Sequence, residues 1–398
     1  MPAKIIGLTY VHENQALAMA TQCWCERFQR ETGADAIVID LKAIDGMQRL
    51  QTTLAKGDID FCFGVQGVGS RLTIDSGESL WTHYQTPFLG FHYDSPSCNI
   101  YNHFCDSLYV ANLYGFGCLF EIQQGYVKNA QINERIPYEV DPAERRGIPF
   151  KDRPIRMSFL KSGKSPSTYA DYLNQIKPPL REALWAAIEK AEKNENLLLC
   201  ELISNAFKAC GFDPTQHWAE FWGFADWIDN YIRSKRAADM VNWLKFQDGA
   251  VIIGEGWDFI DKTGAKAIFK RGIPAEEGIS VYAQSQFVFN TSPYGSDIIH
   301  ERVIIGLSDY CCVVSDTNAW WDEHFANVPA LYRFRWGTDY GPKILEFIND
   351  PTAADKAQTT IGFHRIRETL GGHKQIPQIM KIAKKVRPFA QQKSANPK

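Results

Sequence analysis

The sequence predicts an α/β fold of two Rossmann-like lobes, and three observations carry that expectation. Short segments that are apolar along nearly their whole length alternate with helical segments from the first residues onward. A stretch rich in Pro, Gly and charge interrupts this near residue 150, and the alternation resumes after residue 250. Strands without a polar face belong to parallel sheets covered by helices on both sides. A chain of 398 residues is also long for one hydrophobic core, so two domains are expected.

In the first lobe, Ile5 to Thr9 reads as a strand and residues 13 to 31 as a helix, with Leu17, Met19, Cys23, Trp24 and Phe28 at helical spacing. Ala36 to Ile39 is the next strand and Met47 to Leu54 the next helix. Ile59 to Val65 is a strand that runs into Gly64-Val-Gln-Gly-Val-Gly69. A short helix around Leu80 to Tyr84 leads to the strand Pro87 to His92. Residues 1–152 therefore form one doubly wound lobe. Pro137, Pro142, Gly147, Pro149 and Pro154 mark a linker over 137–154.

The second lobe, 153–375, opens with the strand Arg156 to Leu160. A helical insertion over about 167–247 follows, with Pro214 separating two of its helices. Its aromatics, among them Trp185, Trp218, Trp222, Trp227 and Trp243, read as packing core. Ala250 to Ile253 is a strand ending in Gly254-Glu-Gly-Trp257. Gln286 to Asn290 is a strand, about Asp297 to Leu307 a helix, and Cys311 to Ser315 a strand. Helices near 341–349 and 361–370 close the lobe. Residues 376–398 form a terminal helix and tail outside both lobes.

Composition sets limits on function. An apolar content of 45% with 22% charged residues is that of an ordinary folded soluble protein. The net charge of −3 argues against a nucleic-acid binder. The basic run Lys381, Lys384, Lys385 and Arg387 reads as a solvated helix face. The N-terminus begins as a strand, without the pattern of a signal peptide. No run reaches the roughly 18 apolar residues of a membrane helix, which leaves only peripheral membrane contact open. The ten cysteines lie in expected strands and helices, and Cys23 and Cys25 diverge on a helix. No four have zinc-ligand spacing, so no metal or cofactor and a cytoplasmic location are expected.

Ser158-Phe-Leu-Lys-Ser-Gly-Lys-Ser165 comes close to a phosphate-binding loop. That loop needs Gly where Ser158 stands inside the strand, so the backbone nest lacks its first turn residue. Lys161, Ser162 and Gly163 still form a loop at the carboxyl edge of the second sheet.

The stretch from Phe287 to Asp316 carries the chemistry. Asn290 ends a strand, Pro293-Tyr294-Gly295-Ser296 makes a tight loop, and Ser296 or Asp297 is expected to cap the next helix. A helix start at a sheet's carboxyl edge presents backbone N–H groups and a positive end to a diphosphate. His300, Glu301 and Arg302 follow in its first two turns. Arg302 has the chemistry to pair with phosphate and Glu301 to accept from ribose hydroxyls.

With Asn290, Pro293, Gly295, His300 to Arg302 and an apolar strand ending in Ser315-Asp316, the stretch resembles the donor-binding segment of group 1 glycosyltransferases, in a branch whose helix opens with His-Glu-Arg. Val251 to Trp257 resembles that family's strand ending in Gly-x-Gly-Trp. Pro87 to Pro96 resembles its strand ending in Asp-x-Pro, with order and spacing agreeing from about residue 60 to 370. Ile305 stands where most members carry a second Glu, and Tyr310 where they carry Gly.

The resemblance implies the GT-B fold, with a nucleotide-sugar donor on the C-terminal lobe, an acceptor facing the N-terminal lobe, and metal-independent transfer. It implies donor-binding roles for Lys161, Ser162, Trp257, Tyr282, Asn290, Gly295, Ser296, His300, Glu301 and Arg302. His12, Glu13 and Asp94, which follow the first and fourth strands, are candidates for the acceptor base. Glycan, lipid-linked sugar, small molecule and protein side chain remain open as acceptors. A sugar-nucleotide epimerase and a non-catalytic nucleotide or glycan binder of the same fold are the alternatives.

Overall fold

The computed structural model describes residues 2–10, 15–144 and 147–395. It divides the chain into two compact units, one of residues 1–139 and 373–398, the other of residues 140–372. The boundary thus falls at 139/140 and not near 152. The terminal segment, expected outside both lobes, belongs to the first unit.

The first unit is built on β1 (Lys4–Thr9), β2 (Asp35–Asp40), β3 (Phe61–Val65), β4 (Phe88–His92), β5 (Val110–Tyr114) and β6 (Ile132–Arg135). They pair parallel in the order β2-β1-β3-β4-β5-β6. Helices α1 (Gln15–Thr32), α2 (Gly46–Leu54), α3 (Leu80–His83) and α4 (Gly117–Tyr126) connect them. β3, β4 and β5 are buried at every position, including the polar His92 of β4 and Asn112 of β5. The sequence pattern missed β5 and β6: β6 is short and half-exposed, and a segment reading Ile-Asn-Glu-Arg has no strand periodicity.

The terminal helix, Gln375–Ala395, explains why the chain returns to this unit. Its Ile376, Ile379, Ile382 and Val386 are at most 2% exposed and lie in one core cluster with Phe28, Phe61, Phe63 and Phe91. Each such side chain contributes about 2 kcal/mol. Glu139 fixes the helix start, accepting from the backbone N–H groups of Lys374 and Gln375 while Arg27 holds its other side. The isoleucine spacing was legible as a helix; its partner face was not.

The second unit is built on β7 (Ile155–Leu160), β8 (Ala250–Ile253), β9 (Ile268–Lys270), β10 (Ser285–Asn290), β11 (Cys312–Asp316) and β12 (Leu331–Phe334), all parallel, in the order β12-β11-β10-β7-β8-β9. Renumbered within the unit this is 6-5-4-1-2-3, the strand order of a dinucleotide-binding Rossmann sheet. Between β7 and β8 lie α5 (Pro166–Asn174), α6 (Leu180–Lys193), α7 (Leu199–Ala209) and α8 (Trp218–Leu244). Phe221 and Trp222 are buried among them and Pro214 lies between α7 and α8, as expected, whereas Trp185, Trp218, Trp227 and Trp243 are only half-buried. After β9 come α9 (Ala275–Ala283), α10 (Glu301–Ser308), α11 (Ala319–His324), α12 (Gly341–Ile348), α13 (Ala353–Gln358) and α14 (Ile361–Leu370).

A polar network is sealed inside the first unit. His92 and His103 are each 1% exposed, with ring centroids 4.0 Å apart. His92 Nε2 lies 3.1 Å from Asn112 Oδ1, so it donates, while His103 Nδ1 meets the Tyr114 hydroxyl at 2.6 Å. Burial pushes His92 down to about 4 against the opposing pull of its Asn112 hydrogen bond, and burial, then the neighbouring His92, hold His103 well below the usual imidazole range. An unfolded chain therefore binds more protons than the folded one between the unfolded imidazole value, about 6.5, and about 4. Stability is expected to be full above about pH 6.5 and to fall as the pH drops, with His92 alone accounting for roughly 3 kcal/mol by pH 4. Denaturant titrations across that range check this, and His92→Gln should flatten part of the slope.

Candidate functional site

The strand order of the second unit reverses between β7 and β10, and α/β sheets open a crevice there at their carboxyl edge. Lys161 follows β7, and Asn290 ends β10. Lys161 Nζ reaches across the reversal to the Thr291 hydroxyl at 2.8 Å. The loop bearing Lys161 is held by the turn after β8. Lys161 donates its N–H to Ile253 O, Gly163 donates its own to Glu255 O, and the Trp257 indole N–H reaches Lys161 O at 2.8 Å.

Two glycines permit this approach. A Cβ on Gly254 would stand 2.1 Å from Lys161 O, and one on Gly256 2.3 Å from Gly163 O, both at positive φ. Gly-x-Gly-Trp is thus the seat of the Lys161 loop. Trp257, expected to line a nucleotide pocket, is 4% exposed within the core cluster, and its polar contact is with the chain itself.

The helix carrying His-Glu-Arg begins later than its sequence suggests. Neither Ser296 nor Asp297 caps it: α10 starts at Glu301 with His300 as N-cap. The ten residues before it stay irregular because tertiary contacts hold them. Ile298 and Ile299 are buried, Asn318 Nδ2 donates to Gly295 O and Ile298 O, and the Trp320 N–H donates to Ser296 O. The helix start therefore sits at residues 300–302, and the carbonyls of Gly295 and Ser296 are engaged by the α11 segment.

Asn290 is fully buried and aims Arg302. Its Nδ2 donates to the hydroxyls of Ser292 and Ser315, and its Oδ1 accepts from Arg302 Nη1 at 3.2 Å. Arg302 Nη1 also lies 3.1 Å from His300 Nε2. A guanidinium only donates, so Nε2 carries the lone pair and the ring proton sits on Nδ1, facing the Glu301 carboxylate at 3.1 Å. In this tautomer Nδ1 cannot accept from the Arg302 backbone N–H 3.3 Å away. Burial, then Arg302, Lys161 and Arg233, hold His300 well below its ordinary value, so it is neutral. Glu301 is exposed; Tyr282 is buried and hydrogen-bonded to Arg302, and burial raises its hydroxyl to about 12. Ser162 is exposed beside Lys161.

Two cations here come from the helical insertion and were read as part of packing helices. Arg233 of α8 pairs with Asp229 at 2.8 Å. Arg236, one turn on, is 4% exposed, lies 4.0 Å from Asp316, and has the rings of Tyr294 and Trp336 within 5.6 Å. Its Nε and Nη2 have no hydrogen-bond partner. Asp316 accepts from Ser292 N–H and Trp336 Nε1–H, each at 2.8 Å. Burial, then Arg302 and Arg233, with Arg236 adding to them, push Lys161 down to about 7 against the pull of Asp316. Four cationic side chains thus meet at one edge against the carboxylates of Asp229 and Asp316. The signals available in local sequence were the i, i+4 pair Asp229–Arg233 and the i, i+3 spacing of Arg233 and Arg236.

In the first unit, Asp94 follows β4 and accepts from Gln66 Nε2 at 2.7 Å. His12 and Glu13 lie outside the described residues. Among the described residues no group of His, Cys, Asp and Glu is arranged to hold a metal, and no helix is long and apolar enough to cross a membrane.

Tyr310, standing where the resembled family has Gly, adopts φ 56°, so the backbone keeps the glycine-like turn. Its side chain is buried, and its hydroxyl donates to Glu144. Ile305, at the place of the family's second Glu, is half-buried on α10.

No family model and no curated protein matches this chain. Solved structures do. Sucrose-phosphate synthase from Thermosynechococcus elongatus aligns over 96% of this chain and 99% of its own, with 7% identity and a TM-score of 0.53. The Anabaena protein Alr3699/HepE, solved in complex with UDP-glucose, aligns over 96% of this chain and 98% of its own, with 11% identity and a TM-score of 0.50. The fold is the GT-B fold. At such identities the likeness is one of architecture.

Gly254→Ala is expected to destabilise the second unit by about 2 kcal/mol or more, since the added Cβ meets backbone and not a movable side chain. Denaturant unfolding measures the effect.

Proposed function

We propose that the chain is a glycosyltransferase that takes a sugar from a nucleoside diphosphate donor, with the donor's diphosphate held in the second unit by Lys161, Arg302 and Arg233. The observation that carries this reading is the cationic cluster at the sheet's switch point. Three arginines, joined by a Lys161 that is only part-protonated near neutral pH, outweigh the two carboxylates by about one to two positive charges, which complements a diphosphate. The GT-B likeness supports it, since the Anabaena relative in fold was solved with UDP-glucose bound. So does the joint presence of Asn290, Gly295 and His300 to Arg302 in the order of the His-Glu-Arg branch.

In this reading the leaving diphosphate is stabilised by side chains already in place, without a metal ion. Preorganised cations in a site largely closed to water stabilise developing charge more than they would in solvent. Arg302 is preorganised by Asn290 and His300, and Lys161 by Thr291. Glu301, exposed at the helix start, is the group for the ribose hydroxyls in place of the family's usual Glu, where Ile305 stands. Asp94 is the described candidate for the acceptor base, oriented by Gln66.

A thermal-shift screen against nucleoside diphosphate sugars should raise the melting temperature for at least one of them. For that donor, Arg302→Ala and Lys161→Met should each weaken binding about tenfold or more, the loss of a charge-assisted hydrogen bond. Arg302→Lys separates charge from the bidentate geometry of the guanidinium. Affinity unchanged in all three variants would sink the assignment. Products formed from donor alone distinguish transfer, which gives at most slow hydrolysis, from isomerisation of the sugar.

A further inference from the structure

The first unit has its own strand-order reversal, between β1 and β3, and a cavity of about 390 Å³ opens there. Tyr10, just past β1, and the loop Gln66 to Gly69, just past β3, form part of its wall. This is the position at which an open α/β sheet receives a ligand, and the volume is that of a small-molecule site.

The lining is specific in its chemistry. Gln66, Asn99 and Asn102 bring three side-chain amides, each with a donor and an acceptor end. Two of them are locked in place. Gln66 has φ 56°, donates to Asp94, and accepts from the Tyr93 N–H at 3.3 Å. Asn102 Nδ2 donates to Gln66 O at 2.8 Å, which leaves its Oδ1 to accept. Val68 and Leu72 supply an apolar strip. Arg71 also lines the space, its guanidinium 5.3 Å from the centre of the Tyr101 ring. Among the described residues no carboxylate lies within ion-pair distance of Arg71, and none lines the cavity.

We propose that this cavity binds a small polyhydroxylated molecule carrying one acid group, a sugar acid or a sugar phosphate. The amides meet its hydroxyls, each of which both donates and accepts. Val68 and Leu72 pack against ring carbons, and the planar fork of Arg71 takes the carboxylate or phosphate. The transferase reading enters at one point only: under it, this molecule is the acceptor, and Asp94 is hydrogen-bonded to the lining residue Gln66.

The test uses the full-length chain and calorimetric titration with glucuronate, glucose 6-phosphate, glucose and inorganic phosphate as probes. At least one anionic sugar should bind about tenfold or more tighter than glucose and than inorganic phosphate. Which of the two does so identifies the acid group. Arg71→Gln should abolish that preference with the melting temperature unchanged, since Arg71 is exposed. Asn99→Ala should weaken all sugars alike and keep the preference. Equal binding of glucose and the anionic sugars, a preference that survives Arg71→Gln, or no sugar binding at all would overturn the proposal. Nucleoside diphosphate sugars are titrated separately. If the cavity binds its anionic sugar while no nucleotide sugar binds, the cavity assignment stands and the transferase reading fails.

Discussion

The second unit's site is assembled around one buried carboxylate. Asp316, 3% exposed at the end of β11, accepts from the loop after β10 through Ser292 and from the segment after β12 through Trp336. It also faces Arg236 of α8 at 4.0 Å. An ionised carboxylate at this depth persists only when its hydrogen bonds and nearby cations offset its lost hydration. That requirement draws three chain segments and a helix to one point. Without it, neither the turn that orients Asn290 nor the arginine on α8 has a reason to sit where it does.

The charge arrangement then follows from what each cation lacks. Arg302 is aimed by neutral partners, Asn290 and an unprotonated His300, so its charge is not cancelled locally. Lys161 has a hydroxyl and a carbonyl as partners, and its depressed pKa reflects burial first and the neighbouring guanidinium groups second. Arg236 keeps buried N–H groups unsatisfied, at a cost of about 1–3 kcal/mol for each such group. Glycine turns and the Asn290 amide position Lys161 and Arg302, while the carboxylates of Asp229 and Asp316 face the two arginines of α8.

The fold was legible where strands are apolar throughout. β1, β3, β4, β7, β8, β10 and β11 stand out because both faces are covered, whereas β6, β9 and β12 are short edge or near-edge strands with mixed composition. The helix start at Glu301 was misjudged because Ser296 and Asp297 have good capping chemistry. Burial of Ile298 and Ile299 overrides it, a tertiary effect that local pattern does not contain. Asn290 was legible as a strand end, and Arg302 through the His-Glu-Arg run and not through the helix start. Arg233, Arg236 and Asp316 come together only through folding. Tyr310 is the reverse case: its side chain hides a left-handed turn that Gly would have advertised.

The terminal helix has a consequence for how the chain is made. Both the opening residues and the last stretch belong to the first unit, and the second unit is one uninterrupted segment between them. On a ribosome the first sheet is complete by Arg135, yet Phe28, Phe61 and Phe63 wait for Ile376 to Val386 to cover them. At about 5–20 residues per second, the roughly 230 intervening residues take on the order of 10–50 seconds to synthesise. During that interval the second unit, contiguous in sequence, has all it needs to fold, while the first carries an uncovered aromatic face. The unit made first is the one finished last.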